Sequence, residues 1–210
     1  MVQAVAITAG LVLTLPAAAQ TPVKLVVLGD SLTTGLGLPP SQAFPARLQA
    51  ALKAKGIAAE VADAGVSGDT ATGGLARLDW SVPDGTAGVI VALGGNDMLR
   101  GVDPKVTRDA IDGILRRLKE RRIPVLFAGM RAAPNLGADY VARHDAVYPD
   151  LAKQHGVLFH PFFLDGVAAN PKLNQPDGIH PSAAGVEKIV AGILPKVEEL
   201  LQRIKKNPPG

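Results

Sequence analysis

Short apolar runs alternate with longer helix-like segments along most of the chain. The runs that we predict as strands are Val23–Leu28, Ala58–Ala62, Val89–Leu93, Val125–Ala128 and Val157–Phe159. Strands that alternate with helices favour a parallel sheet with helices on both faces, because each connection must cross back over the sheet. This alternation constrains the fold more than any other feature, and it predicts a five-stranded α/β domain.

The segments between these runs carry helix signals. Pro149 and Pro195 fall inside two of the helical patterns, and we therefore expect a kink in each of these helices. The predicted helices are one that Ser41 caps and that buries Phe44, Leu48 and Leu52, one that starts at Asp103-Pro104, one over 138–154 that ends at Gly156, and one that begins near Ser182.

The amino-terminal segment has the pattern of a secretory leader. Residues 1–20 carry no charged side chain, and the apolar run Val5–Leu15 ends in the sequence PAAA. This run is too short to span a bilayer, but it suits the core of a signal peptide. We predict a signal peptide at 1–19 and a single domain at 20–210, which would be periplasmic or secreted and would have no stable membrane span after cleavage. An uncleaved anchor and a buried first helix remain the alternatives.

Charge and composition argue against several classes of partner. Lys and Arg number 22 against 19 Asp and Glu, and only 4% of the residues are aromatic. Because nucleic-acid binding needs a concentrated basic face with stacking aromatic residues, we predict no nucleic-acid partner. Without cysteine, the chain has no thiolate metal site, and His144, His155 and His160 lack the spacing of metal ligands, so we expect no metal. The sequence specifies no oligomeric state.

Three residues near the two ends of the chain could form a nucleophilic site. Ser31 follows the first predicted strand, and Asp177 and His180 share the short segment DGIHP. A serine hydroxyl becomes a strong nucleophile when an imidazole takes its proton and a carboxylate orients that imidazole. The order Ser, Asp, His also occurs in α/β-hydrolases, but their G-x-S-x-G motif is absent around Ser31. The sequence therefore predicts a serine hydrolase of another fold.

Four segments, taken in order, resemble the sequence blocks of the SGNH (GDSL) hydrolase family. They are VVLGDSLTTGLG at 26–37, AGVSGDT at 64–70, LGGND at 93–97 and DGIHP at 177–181. Any one of them alone is compatible with an ordinary turn or helix cap, but their occurrence in order after successive strands favours the family. The resemblance implies a three-layer α/β/α fold, a five-stranded parallel sheet of flavodoxin-like type, and a hydrolase without a cofactor.

The resemblance also assigns the chemical roles. It implies that Ser31 forms the acyl-enzyme, that His180 is the general base and that Asp177 orients the imidazole. The oxyanion donors would be the backbone N–H groups of Ser31 and Gly68 and the side-chain amide of Asn96. We expect glycine at 68 because the backbone must approach the reacting centre closely, and asparagine at 96 because its amide donates without a charge.

Four segments resemble the bacterial periplasmic arylesterase group, which includes acyl-thioesterases and lysophospholipases. They are LGGNDMLRG at 93–101, MRAAPNLGADY at 130–140, YPDLA at 148–152 and the stretch from PFF at 161–163 to DGIHP. In that group the first two border the acyl pocket, which implies that Met98, Leu99 and Pro134 are wall residues. The predicted substrate is a small-molecule carboxylic ester, acyl thioester or lysophospholipid. A carbohydrate acetyl esterase and a non-catalytic acyl-lipid carrier remain the alternatives.

One acidic residue beside the proposed nucleophile needs a separate interpretation. Asp30 directly precedes Ser31. A carboxylate next to a developing oxyanion would oppose the reaction, so we do not expect it to act on the substrate. We predict instead that Asp30 accepts hydrogen bonds from backbone amides of nearby loops.

Overall fold

A five-stranded sheet is the centre of the computed structural model, which describes residues 21–206. Each neighbouring pair of strands is parallel, and the spatial order is β2-β1-β3-β4-β5. This order is that of flavodoxin-like sheets, so the predicted fold class is confirmed. The predicted leader at 1–19 lies outside the described residues. The strands are β1 Val23–Gly29, β2 Ala59–Gly65, β3 Gly88–Ala92, β4 Val125–Ala128 and β5 Leu158–His160.

Helices cover both faces of this sheet. On one face α2 packs against α8, and on the other α6 packs between α3 and α7. β3 and β4 are buried along their whole length, because both of their faces are covered. Within the described residues the helices are α1 Ser31–Thr34, α2 Phe44–Ala54, α3 Ala71–Ala76, α4 Leu78–Ser81, α5 Gly95–Leu99, α6 Pro104–Glu120, α7 Ala138–His155 and α8 Ala183–Lys206.

The predicted cap of the second helix is wrong. Ser41 lies inside a 3₁₀ turn at Pro40–Gln42, and α2 begins at Phe44 with Ala43 as an N-cap that forms no side-chain bond. Pro45 in the first turn has no N–H to satisfy, and its fixed φ suits a helix start, so the helix begins without a side-chain cap. The predicted buried face of α2 is confirmed.

The other helix signals agree with the structure. Asp103 caps α6 by accepting a hydrogen bond from the backbone N–H of Lys105 at 2.9 Å. Gly156 ends α7 in the left-handed conformation, with φ of 66°. Pro149 and Pro195 lie inside α7 and α8, which continue through them, and the kinks stay predictions. Within 21–206, no helix has both the length and the apolar character that crossing a membrane requires.

Candidate active site

The carboxyl ends of three neighbouring strands bring the predicted site loops together. The register places Gly29 at the end of β1 beside Gly65 of β2 and Ala92 of β3. The segments that contain Ser31 and Asn96 begin just beyond these positions. The site therefore lies where parallel sheets bind their ligands, beyond the carboxyl ends of the strands.

The structure brings Ser31, His180 and Asp177 into one hydrogen-bonded chain. His180 Nε2 lies 2.9 Å from Ser31 Oγ, and His180 Nδ1 lies 2.6 Å from Asp177 Oδ2. When Nδ1 donates to the carboxylate, Nε2 carries a lone pair and accepts the hydroxyl proton of Ser31. This arrangement can generate a serine alkoxide during attack on a carbonyl carbon.

The loop that carries Asp177 holds its carboxylate in the charged form. Asp177 Oδ1 accepts the backbone N–H groups of His180 at 3.0 Å and Ile179 at 2.9 Å. Three hydrogen bonds lower the pKa of Asp177 to about 2. The bond from the His180 backbone has the largest effect, followed by those from the His180 ring and the Ile179 backbone. Asp177 is therefore ionised at any pH at which His180 can act as a base.

Gln175 joins the loop of the base to the loop of the nucleophile. Its Nε2 donates to the carbonyl of Leu36 at 2.7 Å and to the carbonyl of Pro181 at 3.0 Å. Its backbone N–H donates to the carbonyl of His180 at 2.7 Å. The sequence analysis missed this residue, because it lies outside the family blocks and a lone glutamine carries no pattern.

The three predicted oxyanion donors line the same cavity as Ser31 and His180. Within residues 21–206, the backbone N–H groups of Ser31 and Gly68 have no hydrogen-bonding partner. Asn96 Nδ2 donates to the carbonyl of Asp69 at 2.9 Å and to Asp30 Oδ2 at 3.2 Å. The three predicted donors therefore line one cavity, and both N–H groups of the Asn96 amide have acceptors within the protein.

The backbone conformation of Gly68 also favours glycine at this position. Its φ is +83°, in the left-handed region that favours glycine. A Cβ at this position would meet only Arg100 Nη2, at an ordinary contact distance of 3.5 Å. The backbone conformation of the loop therefore favours glycine, and the close approach to the reacting centre stays a prediction.

Asp30 is buried and contacts both the nucleophile helix and an oxyanion donor. It is only 1% exposed, and its Oδ1 accepts the backbone N–H of Leu32 at 3.0 Å. Asp30 thus accepts from a backbone amide as predicted, but the donor lies in the first turn of α1 and not in a nearby loop, and the bond from Asn96 was not predicted. Burial raises the pKa of Asp30 to about 6, although the bonds from Leu32 and Asn96 oppose this rise.

A buried arginine that the sequence analysis missed fixes the loop after β2. Arg77 is 7% exposed, and its Nε donates to Asp69 Oδ2 at 2.6 Å. Its Nη1 donates to the carbonyl of Ala64 at 2.6 Å and its Nη2 to the carbonyl of Gly29 at 2.9 Å. Arg77 thus joins the ends of β1 and β2 to the loop that carries Gly68. The one signal in the sequence that could have indicated its burial is its position between apolar residues, in the sequence LARL.

Asp97 fixes helix α5, which also carries Asn96, to two neighbouring helices. It is fully buried, its Oδ2 accepts the backbone N–H of Ala71 at 2.9 Å, and its Oδ1 accepts the hydroxyl of Thr107 at 3.0 Å. These bonds connect α5 to the starts of α3 and α6. These bonds therefore restrain the backbone of the neighbouring Asn96.

An apolar cavity of about 500 Å³ opens beside Ser31 and His180. The structure places the three predicted wall residues Met98, Leu99 and Pro134 on its lining. Most of its other side chains are also aliphatic or aromatic, as expected of a site that accepts an apolar group. Lining residues that the sequence analysis did not name are Leu36, Met130, Arg131, Phe162, Leu164 and Ile179.

The other histidines lie in structural surroundings. His144 is fully buried, with Nε2 3.4 Å from the Tyr148 hydroxyl. His155 Nε2 lies 2.7 Å from Asp112 Oδ1, and burial lowers the pKa of His160. Across the described part of the chain, no three His, Asp or Glu side chains converge as a set of metal ligands.

Comparison with known families decides the classification. Residues 27–188 match the GDSL-like Lipase/Acylhydrolase family, and this span is most of the chain. The chain belongs to this family. The resemblance seen in the four sequence blocks is thereby confirmed.

Several relatives of this GDSL hydrolase are esterases by name. It is 38% identical to Esterase TesA of Pseudomonas aeruginosa over 190 residues, which cover 90% of this chain and 93% of the relative. It is 39% identical to Thioesterase 1/protease 1/lysophospholipase L1 of Escherichia coli over 159 residues, or 75% of each chain. The crystal structure of AlinE4, an SGNH-hydrolase family esterase, superposes with a TM-score of 0.74 at 43% identity, over 88% of this chain and 99% of AlinE4.

Proposed function

We propose that this GDSL hydrolase is a serine esterase that cleaves carboxylic esters and acyl thioesters through an acyl-enzyme on Ser31. The observation that carries the proposal is the hydrogen-bonded chain from Asp177 through His180 to Ser31, at the wall of an apolar cavity. The names of its relatives, which include an esterase and a thioesterase, support the same reaction class.

The first half of the reaction transfers the acyl group to the enzyme. Ser31 Oγ attacks the carbonyl carbon while His180 Nε2 takes its proton, and the Asp177 carboxylate stabilises the imidazolium. The tetrahedral intermediate then collapses, the bond to the alcohol or thiol breaks, and the leaving group takes the proton from His180. The second half repeats these steps with water as the nucleophile, so the acid is released and Ser31 is regenerated.

Charge that develops on the carbonyl oxygen needs donors already in place. The N–H groups of Ser31 and Gly68 are unoccupied within the described residues, and the Asn96 amide would act as the third donor by exchanging one of its two present acceptors, Asp69 or Asp30, for the oxyanion. Such preorganised donors stabilise the transition state more than the substrate, because the oxygen gains its charge only during attack.

The substrate class follows from the cavity. Its apolar walls favour an acyl chain, with Met98, Leu99 and Pro134 in contact with it. A fatty-acyl substrate buries these surfaces, which stabilises the complex by about 25 cal/mol for each Å² of apolar area removed from water. A carbohydrate acetyl group would leave most of this surface uncovered.

We also propose that residues 1–19 are a cleaved leader and that 20–210 form one periplasmic or secreted domain. The support is the uncharged apolar segment that ends in PAAA, together with a family match that begins only at residue 27. Amino-terminal sequencing of the exported protein would show residue 20 first. An intact leader on the exported protein would contradict the proposal.

Active-site labelling tests the catalytic assignment. A fluorophosphonate probe should label Ser31 and no other residue, and Ser31→Ala should abolish both labelling and hydrolysis of p-nitrophenyl esters. Esters of graded chain length should be cleaved faster as the acyl chain lengthens from acetyl. Unchanged hydrolysis by Ser31→Ala would refute the assignment, and binding of fatty acid without any turnover would favour a carrier.

A further inference from the structure

Arg131 places a positive charge on an otherwise apolar part of the cavity wall. It follows β4 and lines the same cavity as Ser31. Its guanidinium carbon lies 5.1 Å from the centroid of the Phe162 ring. Within residues 21–206, the Arg131 side chain forms no hydrogen bond, and no carboxylate lies within 4 Å of its nitrogens.

Arg100, at the end of α5, is an arginine whose guanidinium does have an acceptor. Arg100 donates to the carbonyl of Gly68 at 2.7 Å, so one of its N–H groups is occupied by the oxyanion loop. Arg131 has no such acceptor, although its contact with Phe162 restrains its position. A guanidinium held over an aromatic face keeps its N–H groups directed outward from the stack, and these match the paired oxygens of a phosphate.

We propose that Arg131 is an anion subsite of this cavity and binds a phosphate group carried by the leaving group of the substrate. The inference rests on the proposed esterase function, and it restricts the substrates to esters and thioesters whose leaving group carries a phosphate. An acyl chain suits the aliphatic walls, whereas a charge is costly to bury there unless it is paired. The phosphate therefore belongs to the alcohol or thiol part, where the exposed Arg131 meets it close to solvent.

Such a phosphate has two chemical sources. A lysophospholipid carries it on a glycerol headgroup, and an acyl-coenzyme A carries it on a soluble thiol. Both would present the same oxygens to Arg131. Pairs of substrates that share one acyl chain can separate the two sources from each other and from neutral esters.

The test compares kcat/KM for phosphate-bearing and neutral substrates with the same dodecanoyl chain, at concentrations below micelle formation. One arm uses dodecanoyl-glycerol phosphate against dodecanoyl-glycerol, and the other uses dodecanoyl-coenzyme A against the thioester of mercaptoethanol. The variants are Arg131→Met, which keeps an unbranched side chain of similar length over Phe162, and Arg131→Lys, which keeps the charge. Arg116→Met removes an exposed arginine from α6, away from the cavity, and is the matched control.

We expect Arg131→Met to lower kcat/KM for a phosphate-bearing substrate about five- to twentyfold, through KM, because a charge-assisted bond is lost at a partly solvated site. The ratio of kcat/KM for the phosphate-bearing substrate to that for its neutral partner should therefore fall by about this factor, Arg131→Lys should recover part of the loss, and Arg116→Met should match the wild type. A loss in one arm alone identifies the source of the phosphate. An unchanged ratio of charged to neutral substrate in both arms, or an equal loss on neutral substrates, would overturn the inference.

A binding measurement separates this inference from the proposed function. Dodecyl phosphate and dodecanol are titrated into Ser31→Ala and into Ser31→Ala combined with Arg131→Met. Tighter binding of the phosphate that disappears with Arg131 supports the subsite whether or not Ser31 is the nucleophile. Equal affinity of both proteins for dodecyl phosphate would refute it, even if ester hydrolysis is confirmed.

Discussion

At the residue scale, the Asn96 amide is the one proposed oxyanion donor that belongs to a side chain, so an alanine substitution removes it. Asn96→Ala should lower kcat about 10²- to 10³-fold and leave KM nearly unchanged, because the lost bond forms mainly in the transition state. Steady-state kinetics on p-nitrophenyl butyrate measure both constants. Ser31 should still react with a fluorophosphonate, only more slowly. A rise in KM at constant kcat would instead assign Asn96 to substrate binding.

Asp30 gives the fold a dependence on pH. Burial raises its pKa from 3.8 to about 6, so between these values the native state holds a proton that the unfolded chain has released. The native state then binds more protons, and the free energy of unfolding falls as the pH rises through this window. The stability that protonated Asp30 contributes is present below about pH 4 and is lost above about pH 6.

Urea unfolding of the wild type and Asp30→Asn at several pH values tests this dependence. Between about pH 4 and pH 7, the wild type should lose about 1–3 kcal/mol of stability relative to the variant, which cannot ionise at this position. Parallel stability curves for the two proteins would show that Asp30 titrates with an ordinary pKa.

The residues of the site were predictable, but several of their conformations and partners were not. The sequence blocks resemble the family closely enough to single out Ser31, Asp177 and His180. They do not encode the left-handed φ of Gly68, which is a property of the folded loop. Gln175 escaped notice because its bonds to two backbone carbonyls depend on how distant loops meet.

At the scale of elements, Arg77 connects two strand ends to the oxyanion loop. Arg77→Met should reduce the free energy of unfolding by about 3–5 kcal/mol, because Asp69 and two carbonyl groups lose a buried partner. It should also lower kcat in the folded fraction, since Gly68 lies beside Asp69. Urea unfolding and kinetics well below the unfolding transition measure the two effects. A loss of stability with an unchanged kcat would limit Arg77 to a structural role.

The strands and the long helices were predictable, and the shortest helices were not. Runs of Val, Leu and Ile identify β1, β3 and β4; β4 has the predicted bounds, and those of β1 and β3 differ from the predicted ones by a residue. Helices α1 and α4 have only four residues each, which is too short for a periodic pattern. Asp30, just after β1, caps the first turn of α1, whereas no side chain caps α4.

At the scale of the whole molecule, helix α8 contributes stability without contacting the reacting atoms. Ile193 is fully buried, so Ile193→Ala should cost about 2–5 kcal/mol of stability through lost burial and a cavity. kcat and KM should be unchanged at a temperature where the variant stays folded. Gln202→Ala, at an exposed position of the same helix, is the control. Altered kinetics in Ile193→Ala would show that the core and the site are coupled.

The alternation of strands and helices predicted the class of the fold but not the order of its strands. Any parallel order is compatible with alternation, and the flavodoxin-like order was predicted only through the family resemblance. The order matters because it sets β1 between β2 and β3, and so brings Ser31 beside the loops of Gly68 and Asn96.

The distance along the chain between nucleophile and base has a consequence for biosynthesis. Ser31 and His180 are separated by 149 positions and meet only when α8 and the loop before it have joined the sheet. A ribosome that has made the first half of the chain has therefore made every oxyanion donor but no base. Hydrolytic activity begins only after nearly the whole polypeptide has been synthesised, so incomplete chains are harmless to the esters and thioesters around them.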